Sequence, residues 1–207
     1  MEQCNKALTD RERNGISHFK FQKDRNSFIL SNGLLRILLS AYLNLLPEEL
    51  EIARHRNGKP YLLNAGDFFF NISNSGDCCI FAFSRNGEVG IDIEKIRPLK
   101  DMNELIERNF TPKEQDYINK NSAERANRFF KFWTLKESYL KAIGEGMRLT
   151  PDNLEFSLEN GKFMLQSIRG VDELEEWVFN DCSFGSNYAG TLAHQGNSSL
   201  VSGIRFI

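Results

Sequence analysis

Residues 89–94 read VGIDIE, which places two carboxylates two positions apart inside an otherwise apolar run. In a β-strand successive side chains point to opposite faces, so the three β-branched residues share one face and Gly90, Asp92 and Glu94 share the other. The pattern therefore predicts a strand whose apolar face packs on a core. Its other face is expected to be acidic and open.

The two carboxylates of this stretch need a compensating charge. Side chains two residues apart on a strand lie roughly 6.6 Å apart and repel by about 2.5 kcal/mol at an effective dielectric constant of about 20. A divalent cation would offset that repulsion, and oxygen ligands without a nearby thiol or imidazole favour magnesium over zinc. The alternative is a solvated face whose acids are balanced by Lys95 and Arg97. The stretch alone leaves both interpretations open.

Composition limits the class of protein. The 207 residues are 41% hydrophobic and 12% aromatic, enough for one large domain or two small ones with a true core. The net charge of −2 provides no basic field for nucleic acid, so no nucleic-acid partner is expected. Residues 1–14 lack an apolar signal core and no run is long enough to span a membrane, so we expect a cytoplasmic protein without a membrane partner.

Cys4, Cys78, Cys79 and Cys182 have no CxxC spacing and are expected to be reduced thiols.

The first half of the chain reads as one long helix followed by short strands. Apolar residues recur at three and four positions from Asp24 to Leu46, which is typical of a largely buried helix. Residues 50–56 alternate like a strand, residues 57–60 have turn chemistry, and residues 68–84 contain two further buried strands. The turn at 84–87 leads into VGIDIE.

The second half repeats that plan with more helix. Helices are predicted at 101–108, from Thr111-Pro112 onward, and at 122–143, where the glycines of GEG (144–146) end the helix. A hairpin is expected around Asn160-Gly161, with later strands at 175–180, 187–193 and 199–206. We therefore expect an α+β fold of two α/β-type subdomains, 1–87 and 88–207. Each would have a long helix packed on a small, mostly antiparallel sheet.

The long helix of the second half supplies a further acid and a base. Trp133, Glu137 and Lys141 are spaced at i, i+4 and i+8 and so lie along one face. Read alone, Glu137 and Lys141 form an exposed pair worth a few tenths of a kcal/mol. If this face lies beside VGIDIE, Glu137 completes a cluster of three carboxylates with Lys141 next to it. Such a cluster suits a magnesium-bound phosphate.

Four motifs in order resemble the 4'-phosphopantetheinyl transferase superfamily, in particular its larger, surfactin-synthetase-activating type. The resemblance spans about residues 10–160 and rests on GKP, FNISNS, VGIDIE and WTLKESYLKAIG. It implies two related halves in a pseudo-twofold arrangement with coenzyme A bound between them. It also implies transfer of the 4'-phosphopantetheine group from coenzyme A to a serine of an apo acyl or peptidyl carrier protein, with release of adenosine 3',5'-bisphosphate. The 1–87 half would supply nucleotide contacts and the 88–207 half the magnesium and catalytic residues.

The resemblance also assigns roles to individual residues. Asp92, Glu94 and Glu137 would bind Mg²⁺, and Glu137, Lys141 and Asp92 would carry the catalysis, with Glu137 either a metal ligand or the general base. Coenzyme A would be held by a wider set of side chains, namely Arg13, Arg54, Lys59, Pro60, Ser73, Asn74, Asp92 and Lys141.

One position departs from the family pattern. The family commonly has histidine where this chain has Asn74, and asparagine cannot become cationic. We therefore expect coenzyme A affinity to depend more on lysine and arginine and less on pH across the histidine range.

Several alternatives remain open at this point. The chain could be another Mg²⁺-dependent nucleotide phosphoryl-transfer enzyme, or a coenzyme A binding or regulatory protein without turnover. The aromatic residues Phe110, Tyr117, Phe129 and Phe130 are either a carrier-docking surface or part of the core. A monomer is expected, since two halves in one chain would already contain a whole site.

Overall fold

The computed structural model describes residues 1–144 and 149–196, and within these ranges the chain combines helices with small antiparallel sheets. The predicted α+β class is confirmed. The chain divides into two compact units, one made of residues 1–54 with 60–66 and the other of residues 55–59 with 67 onward. This division differs from the predicted boundary near residue 87, because the strands at 69–84 belong with the second unit.

The first unit is mainly helical. Its elements are α1 (Glu2–Ala7), α2 (Asp10–Ile16), α3 (Gln22–Leu43), a 3₁₀ turn (Pro47–Glu49), and the antiparallel strands β1 (Ile52–Arg54) and β2 (Pro60–Leu62). Thr9 caps α2, since its side chain accepts from the backbone N–H of Glu12 while the Glu12 carboxylate accepts from the Thr9 N–H. The long helix α3 begins and ends slightly before the predicted 24–46, and Asn44 closes it in the left-handed conformation.

Among its described residues, the second unit contains three small sheets. The hairpin of β3 (Phe69–Ser75) and β4 (Cys78–Ser84) is one. The strands β5 (Val89–Lys95), β8 (Trp177–Asp181) and β9 (Tyr188–Gln195) form another in the order β5-β9-β8. The hairpin of β6 (Leu154–Glu159) and β7 (Lys162–Ile168) is the third, and Asn160 and Gly161 make its turn with positive φ, as predicted.

The helices of this unit are α4 (Met102–Asn109), α5 (Pro112–Asn119) and α6 (Arg125–Ile143), with short 3₁₀ turns at Ser122–Glu124 and Pro151–Asn153. Thr111 and Glu114 form the capping box of α5 with proline at its first position. Gly144 ends α6 with a φ of 68°. The predicted strand at 199–206, and Glu145 and Gly146 of the predicted cap, lie outside the described residues.

Helix α6 lies at the centre of the second unit, between the β5-β9-β8 sheet and an aromatic core. That core contains Phe129, Phe132, Leu135 and Tyr139 of α6, all buried. Lys136 is also buried there, and its ammonium contacts the Glu114 carboxylate at 2.6 Å and donates to the carbonyls of Asn109, Pro151 and Leu154 at 2.8–3.0 Å.

Two further expectations can be compared with the structure. No helix among the described residues is long and apolar enough to cross a membrane. Cys4, Cys78, Cys79 and Cys182 are reduced thiols, as expected. Burial, together with the neighbouring Cys78, raises the pKa of the Cys79 thiol to about 12.

Candidate active site

Strand β5 and helix α6 approach each other most closely at Gly90. A Cβ atom built on Gly90 would lie 2.0 Å from the Ser138 carbonyl oxygen and 2.4 Å from the Ala142 nitrogen, both in the backbone of α6. Only glycine allows this approach. Because Gly90, Asp92 and Glu94 share one strand face, α6 covers the acidic face of the strand and brings Glu137 and Lys141 to it.

Asp92 is the centre of the resulting cluster. Its Oδ1 accepts hydrogen bonds from the Lys141 ammonium at 2.6 Å and from the Ser73 hydroxyl at 2.8 Å, and Lys141 Nζ also donates to Ser73 Oγ at 3.0 Å. The residue is only 3% exposed. Burial raises the pKa of Asp92, and the charge and hydrogen bond of Lys141 partly oppose that rise.

The charges of Glu94 and Glu137 interact with that of Asp92. The Glu94 Oε2 atom accepts from the Ser75 hydroxyl at 2.6 Å and lies 3.7 Å from Arg97 Nη1. Burial raises the pKa of Glu137, the charges of Asp92 and Glu94 raise it further, and Lys141 lowers it. Glu137 is therefore near enough to the strand carboxylates to interact with them electrostatically, as the helix-face argument predicted.

The structure corrects two details of the sequence interpretation. The acidic face of β5 is not open at Asp92, because α6 covers it. Glu137 and Lys141 do not form an exposed pair, since the partner of Lys141 is the buried Asp92 carboxylate. The alternative was a solvated face whose acids are balanced by Lys95 and Arg97. It applies in part to Glu94, which lies near Arg97, whereas Lys95 pairs with Asp77 instead.

The cluster has the donor chemistry that Mg²⁺ prefers. Among the described residues, no group hydrogen-bonds to the buried Oδ2 atom of Asp92. A buried carboxylate oxygen without a hydrogen bond is a candidate metal ligand, and the other carboxylates supply further hard oxygen donors. In the described ranges, no three or more Asp, Glu, His or Cys side chains lie close enough together to hold a metal ion as they stand. In this arrangement the Lys141 ammonium supplies the positive charge beside Asp92.

Lys59 is held at the end of α6. Its ammonium donates to the Glu88 carboxylate and to the carbonyl of Ala142, in the last turn of the helix. Its Cδ lies 3.2 Å from the position that a Cβ on Gly144 would take. Lys59 of the GKP motif therefore contacts the C-terminal end of the helix that carries Glu137 and Lys141.

The other predicted coenzyme A ligands belong to different compact units of the structure. Ser73 is buried against Asp92, whereas Asn74, next to it on β3, is exposed on the opposite side of the strand. Arg13, Arg54 and Pro60 belong to the first compact unit. Within that unit Arg13 lies in α2, where it pairs with Asp10 and donates to the carbonyl of Leu8.

Sequence reasoning missed Asn71 and Ser75. These two residues and Ser73 occupy alternate positions of β3, so they share one face. That face meets β5, where all three side chains accept hydrogen bonds from backbone N–H groups at 3.1–3.3 Å. The sequence signal that could have identified them is the polar residue at every second position of FNISNS (70–75).

Most of the aromatic residues considered for carrier docking belong to the core. Phe110, Phe129 and Phe130 are 2–3% exposed and contact one another, so the core interpretation is correct for them. Tyr117 is partly buried against the same core. The rings of Phe110, Phe129 and Phe130 therefore pack inside the core and are not accessible as a docking surface.

Comparison with known proteins identifies the family. A family model described as the 4'-phosphopantetheinyl transferase superfamily matches residues 88–193, and a model described as 4'-phosphopantetheinyl transferase, N-terminal, matches residues 1–86. Together they include every predicted site residue.

Individual relatives carry related names. The chain is 34% identical to the 4'-phosphopantetheinyl transferase HetI of Nostoc sp. over 68% of this chain and 61% of the relative. It is 32% identical to a phosphopantetheinyl transferase of Thraustochytrium sp. over 82% of this chain and 61% of that protein. It is 29% identical to the L-aminoadipate-semialdehyde dehydrogenase-phosphopantetheinyl transferase of Xenopus laevis over 86% of this chain.

These alignments cover only part of the relatives. The chain spans 61% to 65% of the lengths of the three proteins. Among solved structures, the holo-[acyl-carrier-protein] synthase of Thermotoga maritima aligns with 53% of this chain and 64% of its own at 20% identity and a TM-score of 0.45.

Proposed function

This chain belongs to the 4'-phosphopantetheinyl transferase superfamily, and on that premise we propose that it transfers 4'-phosphopantetheine from coenzyme A to a serine hydroxyl of an apo carrier protein. The observation that carries the proposal is the buried contact of Lys141 with Asp92, beside Glu94 and Glu137, on the face of β5 that α6 covers. A lysine among several carboxylates suits a site that binds phosphate and a divalent cation together.

The donor set fits Mg²⁺, and Asp92, Glu94 and Glu137 would hold it. The buried Oδ2 atom of Asp92 supports this assignment, because a carboxylate oxygen without a hydrogen bond gains from a cation. When bound, the metal would supply positive charge to the pyrophosphate oxygens. We propose that the reaction depends on it.

The residues of the chain would contribute position and charge. The serine oxygen forms a bond to the phosphorus next to the pantetheine arm, and the bond from that phosphorus to the bridging oxygen of the pyrophosphate breaks. Adenosine 3',5'-bisphosphate leaves with the bonding electrons. Lys141 would neutralise charge on the phosphates. Glu137 has two candidate roles, as a ligand of the metal or as the general base that accepts the serine proton directly or through water.

We also propose how the predicted coenzyme A residues act, given their surroundings in the structure. Arg13, Arg54, Pro60 and Asn74 would contact the nucleotide. Lys59 would act from the end of α6, where it is held. Ser73 would act through the Asp92 carboxylate that it holds.

The partners, the subclass and the cellular setting are also proposals. We expect coenzyme A and an acyl or peptidyl carrier protein as partners, a monomeric enzyme of the larger, surfactin-synthetase-activating type, and a cytoplasmic location. These assignments rest on the family and on the motifs of the sequence.

Intact mass spectrometry tests the proposal directly. Apo carrier proteins would be incubated with the protein, coenzyme A and Mg²⁺, with a chelator and an Asp92→Ala variant as controls. We expect a mass gain of one phosphopantetheine group that both controls abolish. Binding of coenzyme A without any gain would favour a binding or regulatory protein instead. Turnover of coenzyme A without a carrier would favour another phosphoryl-transfer enzyme.

A further inference from the structure

Strand β3 contacts β5 through side chains that follow a regular repeat. The backbone N–H groups of alternate β5 residues donate to side chains on β3 that lie 20 positions earlier in the chain. The pairs are Ile91 N to Asn71 Oδ1 at 3.1 Å, Ile93 N to Ser73 Oγ at 3.3 Å and Lys95 N to Ser75 Oγ at 3.1 Å. We call these three contacts the β3–β5 seam. The seam satisfies N–H groups on the β5 edge that faces away from β9.

The seam also fixes the direction of the serine protons. Ser75 Oγ accepts from the Lys95 N–H, so its single proton is free to donate, and it donates to Glu94 Oε2 at 2.6 Å. Ser73 repeats the pattern, since its hydroxyl accepts from Ile93 N–H and donates to Asp92 Oδ1 at 2.8 Å. Each carboxylate is thereby held by the hydroxyl 19 positions before it.

The two carboxylates differ in how many groups hold them. Asp92 has the Lys141 ammonium at 2.6 Å in addition to Ser73. Glu94 is less well held, because its other charged contact in the described residues is Arg97, at 3.7 Å and with an arginine side chain 55% exposed. A solvent-exposed ion pair of that length restrains a side chain weakly.

We propose that Ser75 is a positioning residue that holds Glu94 in the orientation needed for metal binding. This inference deepens the proposed function and rests on it, since the metal is part of that function. Groups that hydrogen-bond to a metal ligand fix its orientation, and their loss typically lowers metal affinity about 10-fold to 100-fold. The Lys95 N–H in turn holds the oxygen of Ser75 against the neighbouring strand.

Two variants of Ser75 and one control test the proposal. Ser75→Ala removes the hydroxyl, and Ser75→Thr keeps it with a side chain that strands favour. Ser84→Ala is the matched control, because Ser84 lies on the same hairpin and, among the described residues, its hydroxyl accepts from the Asn86 N–H and contacts no carboxylate. Mn²⁺ binding would be measured by electron paramagnetic resonance in the presence of saturating coenzyme A. Ser75→Ala should bind Mn²⁺ about 10-fold more weakly than wild type, whereas Ser75→Thr and Ser84→Ala should bind normally.

A metal-free measurement separates this inference from the proposed function. Three-bond NMR couplings of the Glu94 side chain report its rotamer. We expect one rotamer in the wild type and in Ser75→Thr, and averaging in Ser75→Ala. A Glu94 that keeps one rotamer in Ser75→Ala, or Mn²⁺ affinity equal to wild type in that variant, would overturn the positioning role. Failure of the wild type itself to bind Mn²⁺, with Glu94 released in Ser75→Ala, would instead overturn the metal-dependent function and leave the positioning contact standing.

Discussion

Replacing Gly90 by alanine tests the packing on which the whole site depends. The added Cβ would lie 2.0 Å from the Ser138 carbonyl oxygen, whereas ordinary contacts begin at 3.4 Å. The helix would therefore have to retreat by about 1.4 Å, and because the obstructing atoms are backbone, no side-chain rotation relieves the contact. Overpacking costs about 1–3 kcal/mol and occasionally more, so we expect a loss of about 3 kcal/mol. For a chain of this size that corresponds to a fall in Tm of roughly 6–12 °C.

The same displacement should damage activity more than stability. The retreating helix carries Lys141 away from its 2.6 Å contact with Asp92, and a misplacement of about 1 Å can cost about 100-fold in rate. Circular dichroism melting and the mass-spectrometric transfer assay measure the two effects. Gly15→Ala is the control, because a Cβ there meets nothing within 4 Å on helix α2 and alanine should be neutral or stabilise by about 0.5–1 kcal/mol. A Gly90→Ala protein that melted and turned over like the wild type would refute the argument.

Three further variants probe separate parts of the second unit. Lys136→Met leaves the Glu114 carboxylate buried without its ammonium, and urea unfolding should show a loss of about 3–5 kcal/mol; a wild-type midpoint would contradict this. Burial and the charges of Asp92 and Glu94 raise the pKa of Glu137, so the stability of the metal-free protein falls as pH rises through that pKa. Glu137→Gln should therefore melt higher than wild type in chelator at pH 7 while losing transfer, and a lower Tm would count against the electrostatic reasoning. Asn74→His should make the KM for coenzyme A vary with pH across the histidine range, and an unchanged profile would contradict the role given to this position.

Local sequence signals were sufficient for the elements and for the acidic pair. The alternation in VGIDIE predicted β5, and the Thr111-Pro112 start with Glu114 predicted the capped helix α5. The spacing of Glu137 and Lys141 placed both on one side of α6, where the structure has them facing the strand. These signals succeed because they depend on neighbours within one turn or one strand.

Contacts between distant segments could not be predicted in the same way. Lys136 reads as a solvent-exposed lysine until α6 is packed, and its burial depends on carbonyls from three other segments. Ser75 shows its role only when β3 lies beside β5, 20 residues further along the chain. The face of β5 was predicted to be open because the sequence does not reveal that α6 passes directly over Gly90.

The buried Lys136 has a consequence for the rotational setting of α6. Consecutive residues project about 100° apart around a helix. The Lys136 ammonium is held by three carbonyls and a carboxylate, and these contacts fix the rotation of α6 about its axis. They therefore also fix the direction in which the side chain of residue 137 projects. The groups that set this rotation lie on the core side of the helix and take no part in the chemistry. Side chains on its front can therefore be exchanged without letting it turn. Inactive forms altered at Glu137 should keep the native outline, which makes them suitable for trapping an unreacted complex with a carrier.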